Sequence, residues 1–254
     1  MTHIRPILSC QSLRKSYGGN LALADVTFDM NGPGVVAVIG ANGVGKTTLI
    51  NVLTGFVSAD AGTWKIAGQD ATNRSAASIA RMGVARTFQR TRLISRVSVL
   101  DNVLLATRSK ESATLMAAAT GRWRSVESEA LDRAQRALDV VGIAKLASRI
   151  SGALSFGEQK LVSLAGCVGA GARIWMLDEP VSGLGLIARD AVLKVLRDAR
   201  DRGVLLVVIE HDLAAVKAVA DEVVVMAGGS IKMRGAAATV LSSSELLGLY
   251  VGRT

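Results

Sequence analysis

The sequence predicts an α/β fold in which a helical segment interrupts a mixed sheet. Two early segments, 8–16 and 22–30, alternate apolar and polar residues, as half-buried antiparallel strands do. A short apolar run rich in β-branched residues follows at 35–39, and further apolar segments lie at 173–177 and 204–209; these indicate buried parallel strands. The pattern therefore favours a parallel core sheet joined to a smaller antiparallel sheet.

The middle of the chain, from 98 to 167, is rich in Ala, Leu, Arg and Glu and has helical periodicity. Its clearest amphipathic stripe is formed by Ala130, Leu131, Ala134, Ala137, Leu138 and Val141. Gly142 is expected to end that helix. We interpret this stretch as a helical subdomain inserted into the α/β core.

Composition limits the possible classes of protein. Half of the 254 residues are apolar, enough for a sizeable core, and the 30 basic residues exceed the 21 acidic ones by nine. This charge favours an anionic partner such as nucleotide, nucleic acid or lipid, without choosing among them. Two cysteines and two histidines exclude a His/Cys metal cluster. No apolar run approaches the roughly 18–20 residues of a membrane span, and residues 1–6 lack an apolar signal region, so we expect a cytoplasmic chain.

Residues 40–47 fit the pattern G-x-x-x-x-G-K-[ST] of a phosphate-binding loop. Glycines allow successive backbone N–H groups to cradle phosphates, Lys46 can reach the β- and γ-phosphates, and the Thr47 hydroxyl can ligate Mg²⁺. The loop follows the strand at 35–39 and precedes a helix predicted at 47–53, whose N-terminus would face the phosphates. The sequence therefore predicts nucleotide binding on a P-loop NTPase core.

Further polar residues follow the predicted strands. Asp178 ends the strand at 173–177 and can hold Mg²⁺ directly or through water, while Glu179 can act as general base on the attacking water. His211 follows the next strand and is expected near the γ-phosphate as a sensor or hydrogen-bond donor. Gln89, before the helical insert, can ligate Mg²⁺ and orient water.

The segment 154–159 precedes a helix and begins it with a good N-cap residue, Ser155. Exposed N–H groups there could form an anion site. A capping box with Glu158 would have the same sequence, so both interpretations stay open at this stage.

Together these motifs resemble the ATP-binding subunits of ABC transporters, over essentially the whole chain. Residues 40–48 resemble Walker A and 174–178 Walker B; Glu179, Gln89 and His211 resemble the catalytic glutamate, the Q-loop and the switch histidine. Tyr17 matches the aromatic residue that stacks on adenine. The resemblance implies nucleotide-binding roles for Tyr17, Gly40, Asn42, Gly43, Gly45, Lys46, Thr47, Thr48, Ser155, Gly157 and Glu158.

A narrower resemblance rests on short motifs at 17–19, 53–56, 83–89, 99–103 and 209–212. These are similar to the branched-chain amino-acid subfamily, which also serves urea, amide and aromatic-acid importers. The solute itself is therefore not predicted with the same specificity. One departure concerns the D-loop, because glycine stands at position 185 where Asp or Asn is usual.

The resemblance implies one ABC ATPase domain over 1–254, with 1–88 and 170–254 as the nucleotide-binding core and 89–169 as the helical, signature-bearing subdomain. It also implies two ATPase subunits, identical or homologous, stacked head to tail with ATP between the Lys46 loop of one and the Ser155 segment of the other. Integral-membrane permease subunits would be the direct partners, and an extracytoplasmic solute-binding protein an indirect one. The chain would lie peripherally on the cytoplasmic face of the inner membrane.

A competing class is an ATPase that acts on nucleic acid or the ribosome with the same cassette. The positive charge would suit it, but the chain has one cassette, no long coiled coil, no zinc cysteines and no basic tail. A regulator that binds nucleotide without turnover is disfavoured by Glu179 and His211. The sequence thus favours transport, with no nucleic-acid partner.

Overall fold

A computed structural model describes residues 6–89, 91–107 and 123–251. The N-terminal expectation, which rests mostly on residues 1–5, and part of the predicted helical stretch, 108–122, fall outside the described residues. The described residues form two compact units. The first comprises those within Met1–Arg86, Arg173–Ser182 and Leu196–Thr254, and the second those within Thr87–Ala172 and Gly183–Val195. The predicted helical subdomain at 89–169 stays a prediction.

All strands of the described residues belong to the first unit. Numbered in chain order, they are β1 (Leu8–Tyr17), β2 (Asn20–Met30), β3 (Gly34–Ile39), β4 (Ala61–Ile66), β5 (Gln69–Asp70), β6 (Val84–Arg86), β7 (Ile174–Asp178), β8 (Leu205–Ile209), β9 (Glu222–Ala227) and β10 (Ser230–Ala236). They form a four-stranded sheet in the order β2-β1-β4-β5 and a six-stranded sheet in the order β10-β9-β3-β8-β7-β6. The predicted combination of two sheets is confirmed.

The four-stranded sheet is antiparallel, as the alternating segments predict. Along β1 the core side chains Leu8 and Leu13 are fully buried, whereas polar neighbours face solvent. The β1–β2 hairpin turns at Gly18 and Gly19, whose φ angles of 52° and 88° suit glycine. Alternation along the sequence therefore identified this sheet correctly.

The six-stranded sheet has a parallel centre, with one antiparallel edge strand, β10. Every residue of β7 and β8 is buried, which explains their continuous apolar sequences. In the register, Val38 of β3 pairs with Ile209 of β8, and Ile209 pairs with Asp178 of β7. The carboxyl ends of these three strands therefore share one edge, where Gly40, Asp178 and Glu210 follow or end them.

Helices are likewise numbered in chain order. They are α1 (Lys46–Leu53), α2 (Ala76–Arg81), α3 (Val99–Thr107), α4 (Trp123–Val141), α5 (Phe156–Gly169), α6 (Leu186–Asp201), α7 (Leu213–Val219), α8 (Ala237–Leu241) and α9 (Ser244–Val251). In the first unit, α1 contributes Leu49 and Leu53 to a core shared with β1 and β7. In the second unit, α3, α4 and α5 pack against one another. No helix in the described ranges combines the length and apolarity needed to cross a bilayer.

Two details differ from the sequence-based expectation. Ala130, Ala134 and Leu138 of the predicted stripe are buried, but Leu131 is 44% exposed, because it lies one helical step beyond the buried positions. Residues 236–250, whose sequence predicts a single helix, instead form α8 followed by α9. A serine run separates them, and the Ser243 hydroxyl accepts from the Glu245 N–H at 3.1 Å, which favours a new helix start.

Leu138 and Leu131 of α4 provide a direct test of this packing. Leu138→Ala should lower the free energy of unfolding by about 2–5 kcal/mol, because it opens a cavity under a fully buried side chain. Leu131→Ala should change it by about 0.5 kcal/mol or less, since that side chain is half exposed. Urea unfolding of both variants measures the difference, and equal losses would contradict the observed helix orientation.

Candidate functional site

The phosphate-binding loop after β3 has a backbone that only glycine can adopt at several points. Gly40, Gly43 and Gly45 have φ angles of 148°, 80° and 104°. A Cβ at Gly40 would lie 2.3 Å from the Met226 carbonyl oxygen, and one at Gly45 would lie 2.1 Å from that of Ala22. Close approach of neighbouring backbone thus adds to the conformational requirement for glycine.

Lys46 is held within the loop that precedes it. Its Nζ donates to the carbonyl oxygens of Gly40 at 2.7 Å and Ala41 at 2.8 Å, and the residue is buried. Burial lowers the pKa of the Lys46 ammonium, while the charges of Glu179 and Asp178 act in the opposite direction. A cation is therefore fixed where the loop requires a counter-charge for phosphate.

The loop also fits an anion through the start of α1. Gly45 is the N-cap and offers no side-chain acceptor, and the first turn contains no acidic residue. N–H groups at a helix N-terminus that lack such acceptors are suited to binding phosphate oxygens. Thr47 in this turn is exposed and Thr48 half-buried, so hydroxyl groups lie beside those donors.

The two predicted carboxylates stand at the end of β7. Asp178 is buried, and its Oδ2 lies 3.9 Å from Nη2 of the Arg86 guanidinium. Glu179 follows with a φ of 49°, in the left-handed region that non-glycine residues seldom adopt, and its N–H donates to the Ile209 carbonyl at 3.0 Å. The chain therefore turns after Asp178, so that Asp178 and Glu179 leave the strand in different directions.

His211 lies beside Glu179. Its Nδ1 is 3.6 Å from Glu179 Oε1, with the histidine side chain 55% exposed and the glutamate side chain 19% exposed. The structure thus brings together the predicted base and the predicted sensor at the edge of the six-stranded sheet.

Arg86 is a site residue to which the sequence analysis gave no role. Its buried guanidinium donates to Thr54 Oγ1 at 3.0 Å and lies 5.0 Å from the centre of the Phe56 ring, in addition to its approach to Asp178. Arg86 belongs to the motif at 83–89, so the sequence alone draws attention to it. Its contacts could not be predicted from that motif, because its partners are distant in sequence. It supplies positive charge beside a buried carboxylate.

Tyr17, predicted to stack on adenine, lies at the end of β1 and is 47% exposed. The Lys15 ammonium is 5.5 Å from its ring centre and is paired with Asp60 Oδ1 at 2.6 Å. Asp60 Oδ2 accepts from the Ser16 N–H at 2.7 Å, and these hydrogen bonds lower the pKa of the Asp60 carboxyl. Asp60 thereby holds the backbone beside Tyr17, a role that the sequence analysis did not assign.

Gln89 lies in the second unit and is exposed. Its backbone carbonyl oxygen accepts from Nζ of the buried Lys160 at 2.9 Å. The Thr91 hydroxyl donates to the side-chain oxygen of Gln159, also at 2.9 Å. The Gln89 segment is therefore anchored to helix α5, whose start lies in the segment 154–159. Its predicted Mg²⁺ contact stays a prediction.

The start of α5 forms the capping box that the sequence allowed, while the anion site stays a prediction. Ser155 Oγ accepts from the Glu158 N–H at 3.3 Å, and Glu158 Oε2 accepts from the Ser155 N–H at 2.7 Å. These hydrogen bonds, with Arg149 close by, lower the pKa of the Glu158 carboxyl. A Cβ at Gly157 would lie 2.6 Å from that of Ala188, so close packing also requires a glycine there. Nucleotide contacts of these residues stay predictions.

Comparison with known proteins agrees with this geometry. The family model described as ABC transporter matches residues 23–182. The chain belongs to the ABC transporter family. It is 34% identical over 253 residues to the high-affinity branched-chain amino acid transport ATP-binding protein LivG of Escherichia coli K12, covering 98% of each chain. It is 33% identical to the corresponding protein BraF of Pseudomonas aeruginosa, again over 98% of each.

A solved ATP-binding cassette of an ABC transporter, in its ADP conformation, matches with a TM-score of 0.84 and 29% identity, over 98% of this chain and 99% of that one. The predicted fold class and family are thereby confirmed. The chain is an ATP-hydrolysing, nucleotide-binding cassette of an ABC transporter.

Alanine substitutions at Gly45 and Gly43 separate two reasons for glycine in this loop, namely overlap of a Cβ atom with neighbouring backbone and strain of the left-handed conformation. Gly45→Ala should abolish nucleotide binding and lower the thermal midpoint, because its Cβ overlaps the Ala22 carbonyl in addition to the roughly 1–2 kcal/mol of left-handed strain. Gly43→Ala meets no atom within 4 Å and should show the strain alone. Nucleotide titration and thermal unfolding test this, and equal effects would argue against the overlap.

Proposed function

We propose that the chain is the ATPase subunit of an importer for branched-chain amino acids. Nearly full-length similarity to LivG and BraF is the observation that carries the proposal, since both are named as transport ATP-binding proteins for these solutes. An ATPase acting on nucleic acid is not favoured, because the names of these relatives assign them to transport. Reconstitution of the chain with permease subunits of a branched-chain amino-acid importer, followed by leucine and urea uptake, tests the solute class.

Nucleotide binding in this proposal uses the loop and helix already described. Lys46 and the N–H groups at the start of α1 bind the β- and γ-phosphates, with Asn42 and Gly43 at the exposed tip of the loop. Thr47, Asp178 and Gln89 would hold Mg²⁺, since hydroxyl, carboxylate and amide oxygens are its preferred protein ligands. When bound, Mg²⁺ would offset negative charge on the phosphates.

Hydrolysis is assigned to Glu179 and His211. Glu179 would accept a proton from the attacking water, and His211, 3.6 Å away, would orient that carboxylate or donate to the γ-phosphate. The position of Glu179 supports this role, because its carboxylate lies beside His211 at the carboxyl end of β7, next to β8, which in turn neighbours the strand that leads into the phosphate loop.

The cassette would work as a pair, with itself or with a homologous ATPase, and ATP would lie between the Lys46 loop of one copy and the Ser155–Gly157 segment of the other. Leu186 and Ile187, at the start of α6, are 76% and 90% exposed and directly follow Gly185. Such apolar side chains support an interface at the D-loop. Permease subunits would attach the pair to the cytoplasmic membrane face, with a solute-binding protein on the far side.

Glu179→Gln tests the assignment of the base. The variant should bind ATP as the parent does but hydrolyse it about 10²–10⁴-fold more slowly, because the amide cannot accept the proton. Light scattering with Mg-ATP should then detect a stable dimer, either of this chain alone or with a homologous ATPase subunit. Near-normal turnover would show that another group is the base.

Asp60→Ala tests the support of Tyr17. Without the carboxylate, the Ser16 N–H and the Lys15 ammonium lose their shared partner, so ATP binding should weaken by roughly two- to fivefold while turnover of bound ATP is kept. Asp70→Ala is the matched control, because this exposed carboxylate also accepts a nearby backbone N–H, from Thr72, but lies away from Tyr17 in the sheet. Equal effects of both changes on the dissociation constant would remove the assigned role.

A further inference from the structure

Glu210 is a buried carboxyl group outside the roles assigned so far. It follows β8, lies immediately before His211 and is only 2% exposed. Its backbone N–H donates to the Val38 carbonyl of β3 at 3.4 Å, so its position is fixed by the strand that leads into the phosphate loop. Glutamate is rarely buried to this extent without a specific partner.

The partner of the Glu210 side chain is the backbone just beyond Glu179. Oε1 accepts from the Val181 N–H at 3.0 Å, and Val181 is itself buried. Oε2 is buried and has no hydrogen-bond partner among the described residues. Burial raises the pKa of the Glu210 carboxyl, and the Val181 hydrogen bond and His211 act in the opposite direction.

The segment 179–181 is thus fastened at both of its ends. The Glu179 N–H donates to the carbonyl oxygen of Ile209. The Val181 N–H donates to the side-chain carboxylate of Glu210, the residue that follows Ile209. Between these two hydrogen bonds the backbone of Glu179 keeps its left-handed φ of 49°. Such a conformation persists only when surrounding contacts hold it, and here two consecutive residues supply them.

We propose that Glu210 is a positioning residue for hydrolysis, which fixes the direction of the Glu179 carboxylate by holding the Val181 N–H. The inference rests on the role proposed for Glu179 and adds to it a residue that touches neither substrate nor metal. The carboxyl acts as a hydrogen-bond acceptor, so a neutral acceptor in the same place should serve. Small displacements of a reacting group lower rates strongly, by on the order of 10²-fold for about 1 Å.

Glu210→Met removes the acceptor while keeping a side chain of similar length, and Glu210→Gln keeps the acceptor. We expect the Met variant to lower kcat by about 10–100-fold with the ATP dissociation constant unchanged. Protection of the Val181 amide from hydrogen exchange should be lost in the Met variant and present in the Gln variant, which should also recover most of the turnover. If Glu210→Met does not fold, Glu210→Ala takes its place.

Val207→Ala, in the middle of β8, the strand that leads into Glu210, is the matched control. It removes fully buried core volume without contacting the 179–181 segment through a hydrogen bond, so it should lower stability while kcat per folded molecule is kept. Loss of kcat in this control equal to that of Glu210→Met would overturn the proposal, because general destabilisation would then explain both. Unchanged kcat or continued Val181 protection in the Met variant would also overturn it.

A double variant separates this inference from the role of Glu179. If Glu210 acts through Glu179, Glu210→Met should cause no further loss of turnover in a Glu179→Gln background. A full additional loss there would contradict positioning of Glu179. Near-normal turnover of Glu179→Gln alone would instead refute the proposed base, and the Val181 exchange measurement would still decide whether Glu210 holds the segment.

Discussion

The parallel pairing of β3, β8 and β7 is the constraint on which the site depends. Because Val38, Ile209 and Asp178 lie in register, the phosphate loop, the Glu210–His211 step and the two carboxylates all emerge from one edge of the sheet. A shift of one residue in either pairing would turn alternate side chains to the other face and separate these groups. Such a shift would also disrupt the close packing of the buried side chains of β7 and β8, so the apolar interior of the sheet maintains the geometry of its polar edge.

Buried basic side chains hold several polar segments of the chain in place through hydrogen bonds. Lys46 bonds to the carbonyls of its own loop, Arg86 links Thr54 with the surroundings of Asp178, and Lys160 holds the Gln89 carbonyl in the second unit. Each ammonium or guanidinium group is buried and is compensated by nearby oxygen atoms. Replacing one would leave buried acceptors unpaired, which is more unfavourable than loss of the hydrogen bond alone.

Much of the fold could be predicted because its signals are local. Alternation identified β1 and β2, continuous β-branched runs identified β3 and β8, and the loop glycines marked the phosphate site. The groups that were missed depend on pairs distant in sequence. Asp60 reaches back to Lys15, Arg86 to Thr54, and Glu210 to Val181, and no pattern within a short window shows such contacts. Leu131 was misplaced for a related reason, since helical periodicity alone does not define the edge of the face that neighbouring helices cover.

The chain passes between the two units at four points, after Arg86, Ala172, Ser182 and Val195. The first and third of these points lie close in sequence to the proposed site residues Gln89 and Glu179. The segment that Glu210 holds continues, after Ser182, directly into the residues before α6. The Glu210–Val181 hydrogen bond therefore joins the carboxyl end of β8 to the stretch between Glu179 and Gly183. We expect a change in that hydrogen bond to alter Glu179 and the residues just after it together, because they belong to the same short stretch of backbone.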